Sequence, residues 1–514
     1  MQSQLLVICI ALQRLMLAEE SDETMTQSQA RVTRRSRPSN NPVASLIFLA
    51  IVPSIILGGL WQFANSHDHS EPPALDLVAT TAANTPQTPV LSARRTPGVL
   101  ARETSSIAFE QALRPLGGSV LAGSCAAVSV DGVLMLSDGI DTPVTPASTL
   151  KFLVAATALD SLGADFTYST EVKAEINAGV VGSIYLVGGG DPLLASSWYP
   201  DDLTLSKYSQ QPATSLEALA DSVVAAGVTQ ITGNVVGDAS HYDAELYPPS
   251  WPIGFRAIQG GPISGLLVND GAVLGASMKA TNPAMGAAQE FYRLLQERGV
   301  TIVGAPASGV TPVGLATVAA VQSAPLIDII GEMLQNSDNN TAEMLLKEIG
   351  FQLSGAGTRA AGDSAVMAKL SSWGVPLEGV ALSDGSGLSG DNKVTCAAFL
   401  AVLERYKDTD PLVSKLAIAG TSGTLSKFFV GTTLQGRLFG KTGSLSGVKA
   451  LVGFVPVEGG STIRFALLLE SPGVDDDKVF KPLWEGVLTQ ALGTYPQGPS
   501  PEAVAPLPAT PNGS

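Results

Sequence analysis

Histidine is nearly absent from this 514-residue chain. Only His67, His69 and His241 occur. The first two flank Asp68 in a stretch without hydrophobic periodicity, which reads as solvated linker rather than as a metal site. A histidine base would have to be His241. No serine carries glycine at both −2 and +2, which excludes the nucleophile elbow of the Ser-His-Asp hydrolases. Cysteine is equally scarce. Cys9, Cys125 and Cys396 form no C-x-x-C pair, so neither a zinc ribbon nor a thioredoxin-like motif is present. Cys125 and Cys396 read as two buried free thiols, with a disulfide as the alternative in an oxidising compartment. Basic residues are in deficit, 30 Lys+Arg against 46 Asp+Glu, for a net charge of −16. Such a surface repels phosphate backbones, and no nucleic-acid partner is expected.

Long hydrophobic runs are also few. Val43–Trp61, VASLIFLAIVPSIILGGLW, would be about 28 Å long as a helix and long enough for a bilayer core. Arg31, Arg34, Arg35 and Arg37 precede it, and the next Lys or Arg is Arg94. This asymmetry keeps the leader cytoplasmic and sends the bulk of the chain outward. An uncleaved anchor is expected, with a cleaved signal segment as the rival. LLVICIAL at 5–12 is too short to span, and Met25 opens a more ordinary leader, which makes it a candidate start. The expected organisation is a cytoplasmic leader (1–42), an anchor (43–64), an extended Pro/Ala/Thr-rich linker (65–103), a folded portion (104–494) and a disordered tail (495–514).

The folded portion alternates strands and helices. SCAAVSVDGVLMLSDG (124–139) predicts two strands about a turn at Asp131-Gly132. STLKFLVAATALDSLG (148–163) predicts a helix capped by Gly163, and further helices are expected over 214–228 and 339–353. The segments 436–443, 448–457 and 461–470 predict antiparallel strands, the last two joined at Gly459-Gly460. The expected class is α/β, an antiparallel sheet flanked by helices.

Three short motifs carry chemistry. Ser148-Thr149-Leu150-Lys151 places a hydroxyl and an amine three residues apart on one helix face, at the end that favours negative charge. Apolar neighbours lower the pKa of such an amine towards neutrality, where it can serve as a general base. Ser446 and Lys449 repeat the spacing in a turn-and-strand context, where the two side chains diverge, and are discounted. Ser337-Asp338-Asn339 precedes a helix and reads either as its N-cap or as a second hydroxyl with an orienting amide. Lys441-Thr442-Gly443 ends a strand, where a cation and a hydroxyl can hold a carboxylate, and the glycine would let a ligand approach the strand edge.

In this order the motifs resemble the penicillin-recognising serine enzymes. The long stretch between the first two, with LVGGGDPLL (186–194), SDGSGLSGDN (383–392) and GKTGSLSGVKALVGFV (440–455), is similar to the low-molecular-mass class C penicillin-binding proteins, the D-alanyl-D-alanine carboxypeptidase/endopeptidase family. The resemblance implies a β-lactamase/transpeptidase-like catalytic domain (104–169 and 327–494) with one inserted domain (170–326) or a reduced pair of them. It implies a Ser148 nucleophile, a Lys151 base, proton relay by Ser337 and positioning by Asn339. Lys441 and Thr442 would bind the substrate carboxylate beside Gly443, and the Ser148 and Ser444 N–H groups would form the oxyanion hole. The partners implied are a peptidoglycan stem peptide ending in D-Ala-D-Ala, β-lactams, and a membrane through the N-terminal helix; no cofactor or metal is implied. A serine β-lactamase, distinguished by fast deacylation, and a non-catalytic wall-binding scaffold, distinguished by no release of D-alanine, are the competing readings. Asp384-Gly385-Ser386-Gly387 reads as a tight turn without a catalytic role, and Trp198, Tyr199 and Trp251 as packing residues.

Overall fold

The computed structural model describes residues 97–199, 212–457, 460–493 and 495. The leader, the Val43–Trp61 segment, His67, His69, Gly459 and residues 496–514 lie outside them. α1 (Pro97–Gly117) opens the described chain, followed by β1 (Cys125–Val130), β2 (Val133–Asp138) and α2 (Leu150–Leu162). A middle stretch supplies β3 (Ser169–Lys173), β4 (Ile184–Val187), α3 (Leu216–Ala225), β5 (Val235–Asp238), α4 (Pro283–Glu297), β6 (Pro306–Ser308) and β7 (Thr317–Gln322). The chain continues through α5 (Leu326–Asn336), α6 (Asn339–Ser354), α7 (Arg359–Ser372), α8 (Cys396–Leu403), β8 (Ala417–Ile418), β9 (Phe439–Leu445), β10 (Val448–Pro456) and β11 (Thr462–Glu470). α1 starts within the segment read as extended linker. Pro97 suits the first turn of a helix, and Phe109, Leu113 and Leu116 further along it are buried.

One sheet has the order β8-β9-β10-β11-β1-β2, with every neighbour antiparallel. Its inner strands are buried on both faces, and the period of two sorts their side chains. Ala450, Val452, Phe454, Ala466 and Leu468 join α2, α5, α6 and α8 in one apolar cluster. Leu451, Val455, Ile463, Phe465, Leu467 and Leu469 join α1 and the C-terminal helices in another. α2 is buried from Leu150 through Ala158, as a helix apolar on all sides must be, and Gly163 caps it at φ 89°. The middle stretch has its own sheet, β6-β5-β4-β3-β7, which mixes parallel and antiparallel pairs. A large apolar cluster there runs from Val172 to Ala319.

Cys125 and Cys396 are not free thiols; they form a disulfide with Cα atoms 6.0 Å apart. Alternation along β1 turns Cys125 towards the helical face, where Cys396 begins α8. A separation of 271 residues in sequence conceals this proximity. Replacing both by alanine is expected to lower stability by about 2–4 kcal/mol in guanidinium unfolding.

Candidate active site

Ser148 sits in a single 3-10 turn, Ala147–Thr149, that leads into α2. Ala147 just before it has a left-handed backbone, φ 46°. One turn on, Lys151 is fully buried. Its Nζ lies 3.0 Å from Ser148 Oγ, 2.7 Å from Asn339 Oδ1 and 2.6 Å from the Ser386 carbonyl. Burial brings its pKa down to about 8, against the opposing pull of Asp384, Asp338 and Glu343. An amine with a free lone pair is thus accessible near neutral pH within hydrogen-bond reach of a hydroxyl.

Ser337 ends α5 in a left-handed conformation, φ 61°. Asp338 is the N-cap of α6, accepting from the Thr341 N–H at 2.6 Å. The triplet divides its residues: Asp338 caps the helix, while Ser337 and Asn339 line the cavity beside Ser148. Lys441 on β9 donates to Ser337 Oγ at 2.9 Å. It is buried, and burial together with the Lys151 charge holds its pKa well below the usual lysine value. The side chain expected to meet a substrate carboxylate directly instead sits behind Ser337. The neighbouring hydroxyls face outward. Thr442 Oγ1 donates to Thr424 Oγ1 at 2.8 Å. Thr442, Thr424 and Ser444 line the same cavity as Ser148, Ser337 and Asn339, with a volume of about 630 Å³.

Gly443 also has a packing use. The place of a Cβ is occupied by the Pro146 carbonyl, 2.6 Å away, so the glycine lets β9 pack against the turn that carries Ser148. Gly387 does the same from the other side, its Cβ position lying 1.9 Å from the Ala147 carbonyl. The loop read as a mere turn is thereby part of the site. Its Ser386 carbonyl holds Lys151, and Glu343 Oε1 accepts from the Gly385 and Ser386 N–H groups at 3.0 and 2.7 Å. The clustered glycines of SDGSGLSG were the available signal, but a contact made by a backbone carbonyl has no side-chain signature. His241 pairs with Glu348 at 2.8 Å. Lys449 of the second S-x-x-K lies 3.9 Å from the Phe480 ring centre, on the other face of the sheet. Among the described residues no cluster of His, Cys, Asp or Glu could hold a metal.

Residues 114–274 and 256–483 match the model of the D-Ala-D-Ala carboxypeptidase 3 (S13) family. The chain belongs to that family. It is a serine-type D-Ala-D-Ala carboxypeptidase, of the low-molecular-mass class C penicillin-binding proteins. It is similar to a carboxypeptidase of Mycobacterium tuberculosis, 32% identical over 361 residues, covering 65% of this chain and 72% of the relative. A D-alanyl-D-alanine carboxypeptidase of an Actinomadura species is 30% identical over 396 residues, covering 60% and 70%. The fold matches that of penicillin binding protein 4 from Haemophilus influenzae, with a TM-score of 0.61 at 21% identity, covering 74% of this chain and 97% of the other.

Two outcomes are expected for an S13 enzyme with this geometry. The second-order rate of acylation by benzylpenicillin, measured against pH, should rise with pH and level off near 8, falling about tenfold per unit below that as Lys151 takes up a proton. Gly443→Ala should slow the same reaction by about 10²-fold at unchanged pH dependence, since the added carbon displaces the turn that carries Ser148.

Proposed function

We propose that the enzyme cleaves the terminal D-Ala-D-Ala bond of peptidoglycan stem peptides through an acyl-enzyme on Ser148. The carrying observation is the convergence of two hydroxyl–amine pairs on one cavity: Ser148 with Lys151, and Ser337 with Lys441. Neutral Lys151 accepts the Ser148 proton as Oγ attacks the carbonyl between the two D-alanines. Asn339 holds the Lys151 amine through its Oδ1. The negative oxygen that develops is met by the backbone N–H groups of Ser148 and Ser444, each worth about 10²–10³ in rate. Ser337, hydrogen-bonded to Lys441, passes its proton to the departing amine of D-alanine and recovers one from protonated Lys151, which leaves the Lys151 amine neutral again. The hydroxyls of Thr442 and Thr424 receive the terminal carboxylate, with the buried Lys441 adding positive potential from behind Ser337. Water then attacks the acyl-enzyme, Lys151 taking a proton from it and returning that proton to Ser148 Oγ as the ester bond breaks, which regenerates the free serine and the neutral amine.

A β-lactam presents the same carboxylate and a strained amide, and occupies the cavity as a mimic of the dipeptide. The disulfide supports work outside the reducing cytosol. The Val43–Trp61 segment is suited to tether the enzyme to the cytoplasmic membrane, with its catalytic part on the outer face. No helix among the described residues is long and apolar enough to cross a membrane.

Intact-protein mass spectrometry with benzylpenicillin tests the reading. A lasting adduct is expected on the wild type and none on Ser148→Ala, with D-alanine released from a pentapeptide by the wild type alone. Rapid drug turnover without an adduct would indicate a β-lactamase, and an adduct on the alanine variant would remove Ser148 from the mechanism.

A further inference from the structure

Of the three acceptors around Lys151 Nζ, two belong to groups held by partners from other parts of the chain. Asn339 turns its Oδ1 to Lys151 and donates its Nδ2 to the Gln259 carbonyl at 2.5 Å. The Ser386 carbonyl belongs to a loop wound around the Asp384 carboxylate. Asp384 Oδ1 accepts from the Gly387 N–H at 2.8 Å and from Asn392 Nδ2 at 2.7 Å. Its Oδ2 accepts from the Ser389 N–H and from Trp251 Nε1, both at 2.7 Å. Asp384 is fully buried and Trp251 is 2% exposed. Trp251 and Gln259 lie eight residues apart on one segment of the middle stretch, between β5 and α4. The ring of Trp251 also closes on Gly260, where a Cβ would come within 2.7 Å of the ring and 3.3 Å of Asn339 Cβ. Both supports of the Lys151 amine therefore trace back to residues 251–260, outside the three catalytic motifs.

We infer that Trp251 is a positioning residue for the general base: through its indole N–H on Asp384 it fixes the loop whose Ser386 carbonyl orients Lys151. The segment 251–260 thus belongs to the catalytic centre as a clamp contributed by the middle stretch. Burying an indole without a partner for its N–H is costly, and so is burying a carboxylate short of donors, so the pair locks in one arrangement. The inference rests on Lys151 being the base for Ser148.

The charges acting on Lys151 are those of Asp384 on the loop, Asp338 at the head of α6 and Glu343 within α6, which raise its pKa, and it interacts also with Lys441 of β9. Asp384 is the largest of the raising charges. Asp384→Asn keeps the size of the side chain and removes that charge. The acid limb of the benzylpenicillin acylation profile should then move to lower pH. A purely structural role would lower the rate and leave the limb in place.

The test is a double-mutant cycle on the full chain, with Trp251→Phe, Asp384→Asn and both together, read as acylation rate against pH and as thermal midpoint. Trp251→Phe keeps an aromatic ring, a smaller one, and loses the donor. We expect it to slow acylation about tenfold on the wild-type background and less than about twofold on the Asp384→Asn background, because the partner it acts through is already altered. An equal factor on both backgrounds, or a lowered thermal midpoint with an unchanged rate, would overturn the inference. Should Trp251→Phe not fold, the Asp384→Asn profile decides, and an unmoved acid limb overturns the inference. A wild type that forms no adduct on Ser148 would remove the underlying mechanism instead, which is a separate outcome.

Discussion

The site depends on keeping an amine dry. Lys151 has no exposed surface, and its desolvation is what brings a lysine into the range where it can accept a proton near neutral pH. An amine buried without acceptors would be intolerable, and one surrounded by ionised partners would stay protonated. The structure lies between these limits. A hydroxyl, an amide oxygen and a main-chain carbonyl touch the nitrogen, while the carboxylates act on it from a distance. Glu343 carries part of the same constraint, since burial and the Asp384 charge push its carboxyl up to about 8. Three polar side chains, Glu343, Asp384 and Lys151, can share one interior because each finds donors or acceptors of the right kind.

Much of the architecture was legible from the sequence because it follows from period and punctuation. The inner strands have strong hydrophobic stretches, the hairpin at Asp131-Gly132 bends where those two residues stand, and α2 ends at the glycine that can take φ 89°. The three motifs were legible for a different reason: each joins chemically distinct residues at a spacing that suits its element. What could not be read was proximity across hundreds of residues. Cys125 and Cys396 had no mark of partnership, and a helix starting at Pro97 had none to separate it from the Pro-rich stretch before it.

The candidate site was legible in its side chains and obscure in its backbone. Ser148, Lys151, Ser337 and Asn339 stand together as expected. The roles of neighbouring groups shifted once packing was visible. Lys441 is fully buried and donates to Ser337, and Thr424, which accepts from the Thr442 hydroxyl, lies in a segment with no motif at all. Gly443 and Gly387 proved to be contact points between backbones. A short loop pressed against another loop leaves glycine as its only trace in a sequence, and glycine has too many other uses to be decisive.

The disulfide, the two glycine contacts and the carbonyl on Lys151 have one effect in common. They join segments that leave the ribosome far apart in time, from Cys125 to Lys441. Contacts of such long range form late in folding, after much loop entropy has been spent. Hydrolytic power therefore arrives only with the finished globule. A partly folded chain holds a serine and a lysine one helical turn apart but lacks the enclosure that disarms the lysine's charge. Enclosure of that amine, and not the short motifs alone, is what makes the finished fold competent.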